Sequence, residues 1–279
     1  MLIEYGIFIK SRRKKYYEQI ATEEGFLKWY HEQEHPTYEA PSLTVDMVLL
    51  CYNRQEEQLK LLLIQRKSHP FRHSWALPGG FVSKGESTDD SVIRETLEET
   101  GVHINQNQIE QLYTFSTPNR DPRGWVVTVS YLAFIGEEPV DAGDDASQVR
   151  WFNLNRKQNT IVLENQETQI ILDLETGESL GKDTLAFDHS QIILKAFHHV
   201  LETMMHDPRV LLVLGPGFTI TDARKVFAKF LGIDFKNIDH SNLKKALNDH
   251  LEAIGERASG VGRPSKIYQL KTDKKISPK

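Results

Sequence analysis

Cysteine is almost absent from this chain. The single Cys51 among 279 residues excludes an intrachain disulfide and cannot by itself make a zinc site. It lies in VLLCY and reads as a small buried strand residue. No apolar run approaches the ~18 residues that a membrane helix needs, and no signal-peptide pattern is present. The expectation is a cytoplasmic protein with no membrane contact. Neither apolar (39%) nor charged (26%) residues are in excess, which fits a globular protein long enough for two domains. The formal charge of −5 is unevenly spread. From Met205 onward fourteen Lys/Arg face eight Asp/Glu, a net +6, so the rest carries −11. A basic C-terminal region on an acidic body suggests a nucleic-acid partner, although solvated lysines give the same count.

The informative stretch is residues 75–102, WALPGGFVSKGESTDDSVIRETLEETGV. Leu77-Pro78-Gly79-Gly80 is a turn signal, because proline fixes φ and glycine permits what other residues avoid. Ser87 and Asp90 have capping-box spacing. The helix is expected from about Thr88 to Thr100, with Gly101 in the left-handed position that ends it. Val92, Ile93, Thr96 and Thr100 share one stripe that would face a core. Glu95, Glu98 and Glu99 fall at i, i+3 and i+4, within roughly 100° of arc on another face. Carboxylates that close repel one another. Divalent cations would relieve this, and hard oxygen ligands suit Mg2+ or Mn2+; the alternative is a solvated acidic face.

The spacing from Gly80 is five residues to Glu86, seven more to Arg94, then Arg94-Glu95-Thr96-Leu97-Glu98-Glu99-Thr100-Gly101-Val102. This resembles the Nudix box at nearly every position, with Thr96 standing where the pattern prefers an apolar residue. The resemblance implies an α/β (α+β) fold, an α/β/α sandwich around a mixed sheet. It also implies catalytic and metal roles for Glu95, Glu98 and Glu99, a Gly80 carbonyl ligand, and a Glu86–Arg94 pair fixing loop to helix. Substrates of the family are nucleoside diphosphates linked to another group, cleaved with metal assistance.

Along the chain, residues 1–40 read as an N-terminal extension that packs on the domain or on a partner subunit. It holds a basic cluster at Ser11–Lys15 and one helix, or two broken near Gly25, between Tyr16 and Glu34. Strands are expected at 43–52, 59–66, 111–116, 125–135 and 149–153, with an inserted hairpin within 155–182 and a helix from Ser190 to Met205. His198-His199 reads as packed or surface histidine, since neighbours on a helix point about 100° apart. Arg120 and Arg123, in the loop RDPRG, are candidates for phosphate or ribose contacts; a charged hairpin turn is the alternative.

Residues 41–205 thus form one domain and 206–271 a second, before a frayed tail at 272–279. In the second, Thr219 or Thr221 would cap a helix through Leu231 that Gly232 ends. A helix from about His240 to Leu251 would follow, turning Leu243, Leu247 and Leu251 inward and Asn242, Lys244, Lys245 and Asn248 outward. A strand at 252–255, a glycine-rich tip and a strand at 266–270 then make a wing, with Arg263 and Lys266 placed for DNA. The alternative is a small packing or dimerisation domain. The RDPRG loop with its following VVTVSY strand, Leu185–His189 and the GVGRPSKIYQL run resemble the NrtR family of Nudix-related regulators of NAD metabolism. That resemblance implies ADP-ribose as ligand or substrate, duplex DNA as partner for a winged helix, and a homodimer reading paired half-sites.

Overall fold

The structure is a computed structural model and describes residues 13–33, 39–143, 146–257 and 264–271. Residues up to 40 form a unit of their own. Residues 13–19 are helical, and α1 (Glu23–His31) follows. The break falls at residues 20–22, not at Gly25 as the glycine suggested. Thr22 caps α1 by accepting from the Gly25 amide, so Gly25 belongs to the first turn. Tyr17 stacks on Trp29 across the break, with ring centres 4.9 Å apart.

The second unit is built on one mixed sheet. Its strands are β1 (Ser42–Asn53), β2 (Gln58–Arg66), β3 (Trp75–Ala76), β4 (Gly79–Phe81), β5 (Ile109–Phe115), β6 (Val126–Phe134), β7 (Ala146–Lys157), β8 (Thr160–Glu164) and β9 (Gln169–Asp173). The order is β5-β6-β1-β2-β7-β8-β9, with β3 beside β2 and β4 beside β1. Among the described strands of this sheet β1 and β6 pair in parallel and the other strand pairs are antiparallel. β8 and β9 form the hairpin expected within 155–182, and it extends the main sheet.

Strand alternation sorts side chains into two cores. Val45, Met47, Leu49 and Cys51 face one side with Val92 of α2 (Thr88–Thr100). Val48, Leu50 and Tyr52 face the other, with Ile192, Phe197 and Val200 of α3 (His189–Thr203). This is the expected α/β/α sandwich. Its second core continues without a break into α4 (Ile220–Leu231) and α5 (His240–Leu247) and to Tyr268. The buried 3-10 stretch Pro208–Leu214 bridges the two regions.

The C-terminal region is a winged helix. α4 opens with a capping box at Thr219 and Asp222 and closes with Gly232 at φ 67°. α5 is shorter than its leucine spacing suggests and stops at Leu247. Leu251 begins β10 (Leu251–Arg257), which pairs antiparallel with β11 (Ser265–Leu270). Leu251 still points inward, because the chain turns at His250 and the strand starts under the same core. That is why a helical period fitted it. β10 also runs beyond the expected 252–255. The tip of the wing, with Arg263, lies outside the described residues, as does the tail from 272.

Candidate functional site

The turn 77–80 is clamped against β1. Met47 N donates to Pro78 O at 2.8 Å, and β4 pairs with β1 in the register Asp46–Gly79 and Val45–Gly80. There is no room for a side chain here. A Cβ on Gly79 would meet the Val45 carbonyl oxygen at 2.1 Å, and one on Gly80 would meet the Glu95 carboxylate at 2.4–2.5 Å. The turn therefore presents bare main chain to the acidic helix.

α2 forms as its sequence dictates. Ser87 Oγ accepts from Asp90 N, and Gly101 ends the helix at φ 72°. The reciprocal half of a capping box is replaced by Ser87 Oγ donating to Asp90 Oδ2. Val92, Thr96 and Thr100 are buried, and Ile93 packs at the edge of the core. Thr96 fills its unusual place by donating Oγ1 to Val92 O at 2.7 Å, so its hydroxyl is satisfied inside the core.

Arg94 organises the acidic face. Its Nε and Nη2 donate to the two oxygens of Glu86 at 2.8 and 2.9 Å, and its Nη1 donates to Glu95 at 2.7 Å and Glu98 at 3.0 Å. The bidentate Arg94 contact and the Ser91 hydroxyl hold Glu86 down to about pKa 2. The same carboxylates push the Arg94 guanidinium up. Glu95 goes the other way, because burial raises its pKa more than Arg94 lowers it. Glu99 is buried and accepts from Gly79 N at 2.9 Å, which ties helix to turn.

A cavity of about 490 Å3 opens in front of this arrangement. Of the residues singled out in the sequence, Gly80, Arg94, Glu95, Glu99, Arg120 and Arg123 line it together; Glu86 stands behind Arg94, and Glu98 lies outside the wall and is exposed. Both loop arginines carry partners. Arg120, almost fully buried, donates bidentate to Asp188 at 2.9 and 2.6 Å. Arg123 grips Asp121 and lies over the Phe81 and Phe187 rings at 4.9 and 5.4 Å. Burial raises the Asp121 pKa, but Arg123 outweighs it and the net shift is downward.

Sequence reasoning missed Asp46, Arg66, Phe187 and His189 on the same wall. Asp46 sits in an apolar strand run, where a buried carboxylate is itself a signal. His189 is fully buried, and burial holds its pKa below the usual value against the pull of Asp46. The expectation for His198 and His199 holds: His198 Nε2 meets Leu174 O at 2.8 Å, and His199 Nε2 meets Glu110 at 3.2 Å.

The donors suit a hard divalent cation in kind: the half-buried or buried carboxylate oxygens of Glu95 and Glu99 lie beside the bare main chain of Gly79 and Gly80, with Glu95 desolvated by burial and paired with Arg94. Among the described residues no three acidic, histidine or cysteine side chains are gathered on one point. Arg94 draws Glu95 and Glu98 toward itself, and Gly79 holds Glu99. On the C-terminal region, Asn242, Lys244 and Lys245 of α5 are exposed, as are Asn248 at its end and Lys266 on β11.

Residues 42–170 match the model of the NUDIX domain, and residues 210–270 match that of the NrtR DNA-binding winged helix domain. The chain is similar to a MutT/nudix family protein from Enterococcus faecalis, whose crystal structure shares 65% identity at a TM-score of 0.89, covering 94% of this chain and 98% of that one. It is 28% identical to the ADPR responsive transcriptional repressor NtrR of Acinetobacter baylyi, over 90% of this chain and 89% of the relative. It is 37% identical to the ADP-ribose pyrophosphatase of Methanocaldococcus jannaschii, over 44% of this chain and 68% of the relative.

Proposed function

Because the chain belongs to the Nudix family and carries the NrtR winged helix behind its Nudix domain, we propose that it hydrolyses ADP-ribose to AMP and ribose 5-phosphate with Mg2+ or Mn2+. The observation that carries this reading is the meeting of Glu95, Glu99, Gly80 and Arg94 in one cavity with two arginines on its other wall. Glu95, Glu98 and Glu99, with the Gly80 carbonyl, would hold the metal. When bound, the metal neutralises the pyrophosphate and acidifies the attacking water. The protein supplies placement. Glu86 anchors Arg94, so the loop before α2 stays fixed to the helix, and Arg94 keeps Glu95 and Glu98 from repelling each other apart. Arg123 offers its exposed guanidinium edge to a phosphate, while Arg120 exchanges contacts with Asp188.

Glu98→Gln and Glu99→Gln test the proposal. Each removes one anionic ligand and should remove most turnover while the protein keeps its melting temperature. Wild-type protein that leaves every nucleoside-diphosphate substrate intact with Mg2+ or Mn2+ would end the hydrolase reading.

A second role is favoured by a different observation, the exposed Lys244 and Lys245 on α5 beside the wing. In this role the winged helix binds duplex DNA as one half of a two-fold homodimer, and ADP-ribose in the Nudix cavity adjusts that binding. The likeness to a repressor that responds to ADPR supports it. The two roles are compatible, since hydrolysis would clear the signal. Among the described residues no helix is long and apolar enough to cross a membrane.

A further inference from the structure

The segment Leu185–His189 ends in a histidine that neither role has used. This segment lies alongside 75–77: Trp75 and Leu185 form a parallel bridge, and Ala186 N donates to Trp75 O at 2.8 Å. The next bond in the series comes from Leu77 N, but the Ala186 carbonyl that a parallel ladder would offer accepts from His189 N as the chain turns into α3. The acceptor is instead a side chain, His189 Nδ1, at 2.8 Å.

Three facts fix this imidazole. It is 4% exposed. Its Nδ1 accepts, so the proton of the neutral ring sits on Nε2. That nitrogen faces Asp46 Oδ1 at 3.4 Å, while Asp46 Oδ2 accepts from Thr128 Oγ1 at 2.7 Å. What the ring holds matters more. Pro78 has no N–H, so the turn's entry has two main-chain anchors, the Leu77 amide and the Pro78 carbonyl. β1 takes the carbonyl through Met47 N, and His189 takes the amide. Gly79 N in turn binds Glu99, and Gly80 abuts Glu95. A shift at Leu77 therefore reaches both carboxylates.

We propose that His189 is a positioning residue for the reaction: through Nδ1 it sets the turn 77–80 against the acidic helix, and Asp46 fixes its tautomer. This rests on the hydrolase reading. Side chains that orient metal-binding groups in this way typically cost about 10–100-fold in activity or metal affinity when removed.

Three substitutions separate positioning from bulk. His189→Asn returns an oxygen acceptor to the place of Nδ1. His189→Gln puts its amide at the place of Nε2, and His189→Leu offers nothing to Leu77. The readouts are kcat and KM for ADP-ribose with Mg2+, Mn2+ affinity of the nucleotide-free protein by electron paramagnetic resonance, and the melting temperature. The Asn variant should stay within a few fold of wild type in both kcat and Mn2+ affinity. The Gln and Leu variants should each lose about 10–100-fold in both with little change in KM. An Asn variant as impaired as the Leu variant overturns the proposal, and so does a Leu variant unimpaired in both readouts. Should the Leu variant fail to fold, the Asn–Gln comparison decides. If wild type cleaves no nucleotide, the hydrolase reading has failed, and Mn2+ affinity alone decides for His189.

Discussion

Gly79 and Gly80 are neighbours in one turn, yet alanine should do different damage at each. At Gly80 the new Cβ would meet the Glu95 carboxylate at 2.4–2.5 Å. That group is the end of a flexible side chain and can retreat. Reaching a normal separation of ~3.5 Å moves it by about 1 Å. A misplacement of about 1 Å near reacting atoms costs on the order of 10²-fold in rate, or ~2.7 kcal/mol of barrier. The apolar core is untouched, so stability should change by no more than about 0.5 kcal/mol. At Gly79 the Cβ would meet the Val45 carbonyl oxygen at 2.1 Å and the Asp46 Cα at 2.9 Å. These are main-chain atoms of β1, which is hydrogen-bonded to β6 over nine register pairs and cannot step aside. Overpacking of this kind costs about 1–3 kcal/mol, and each kcal/mol lowers the melting temperature of a domain this size by about 2–4 °C. ADP-ribose hydrolysis with Mg2+ and a thermal melt on each variant give the comparison. Gly80→Ala should melt like wild type and lose turnover, and Gly79→Ala should melt early. A Gly80→Ala protein with full turnover would show that the Glu95 position is irrelevant to catalysis.

The winged helix should bind duplex DNA through the exposed face of α5. Lys244→Ala with Lys245→Ala should then weaken binding on any sequence and lower the slope of log affinity against log salt by about 0.9 for each phosphate no longer neutralised; fluorescence anisotropy across a salt series that shows an unaltered slope refutes the assignment. ADP-ribose should weaken DNA binding by on the order of 5–150-fold, the usual range of coupling between sites, measured with Glu98→Gln so that the ligand survives. Unchanged DNA affinity at saturating ligand would make the winged helix a passenger. In the same assay Arg123→Ala should blunt the response without altering DNA affinity in the absence of ligand.

The acidic helix was legible because each of its determinants is local. Ser87, Asp90, Gly101 and the spacing of Glu95, Glu98 and Glu99 all act within one or two turns of their own chain. The same holds for α4, where Thr219 caps and Gly232 closes. The other wall of the cavity was not legible beyond its two arginines, since it is assembled by long-range pairing. Asp46 arrives on β1, Arg66 on β2, Arg120 in a loop and His189 at the head of α3, and no period connects them. The arginines illustrate the limit well. Their loop and their charge could be read, but not that Asp188, 68 residues on, takes both the Nε and the Nη2 of Arg120. Leu251 failed for a related reason. Burial was read correctly from spacing, but a strand that starts beneath a helix can satisfy a helical period for one residue.

The winged helix is joined to the Nudix sheet in a way that bears on whether the two sites communicate. A tethered module would close its own core and meet its neighbour through polar surface. Here Phe227 and Phe230 of α4, Leu243 and Leu247 of α5 and Tyr268 of the wing share one continuous core with Phe152, Leu154 and Ile161 of the sheet. Polar contacts staple the same boundary. Arg156 Nη1 donates to Phe230 O at 3.1 Å, and Arg54 donates to the Leu214 and Gly217 carbonyls. α3 runs between the sites. It starts at the cavity with His189, preceded by Asp188, and about two turns on Phe197 meets Phe230, ring centres 5.3 Å apart. Close-packed interiors shift as units and do not absorb small displacements. A ligand that drew Arg120 away from Asp188 would release the head of α3, and the movement would reach α4 through the Phe197–Phe230 contact. Differential affinity would then be a property of the shared core: the ligand would favour one seating of α3, and DNA the seating of α4 that suits its groove.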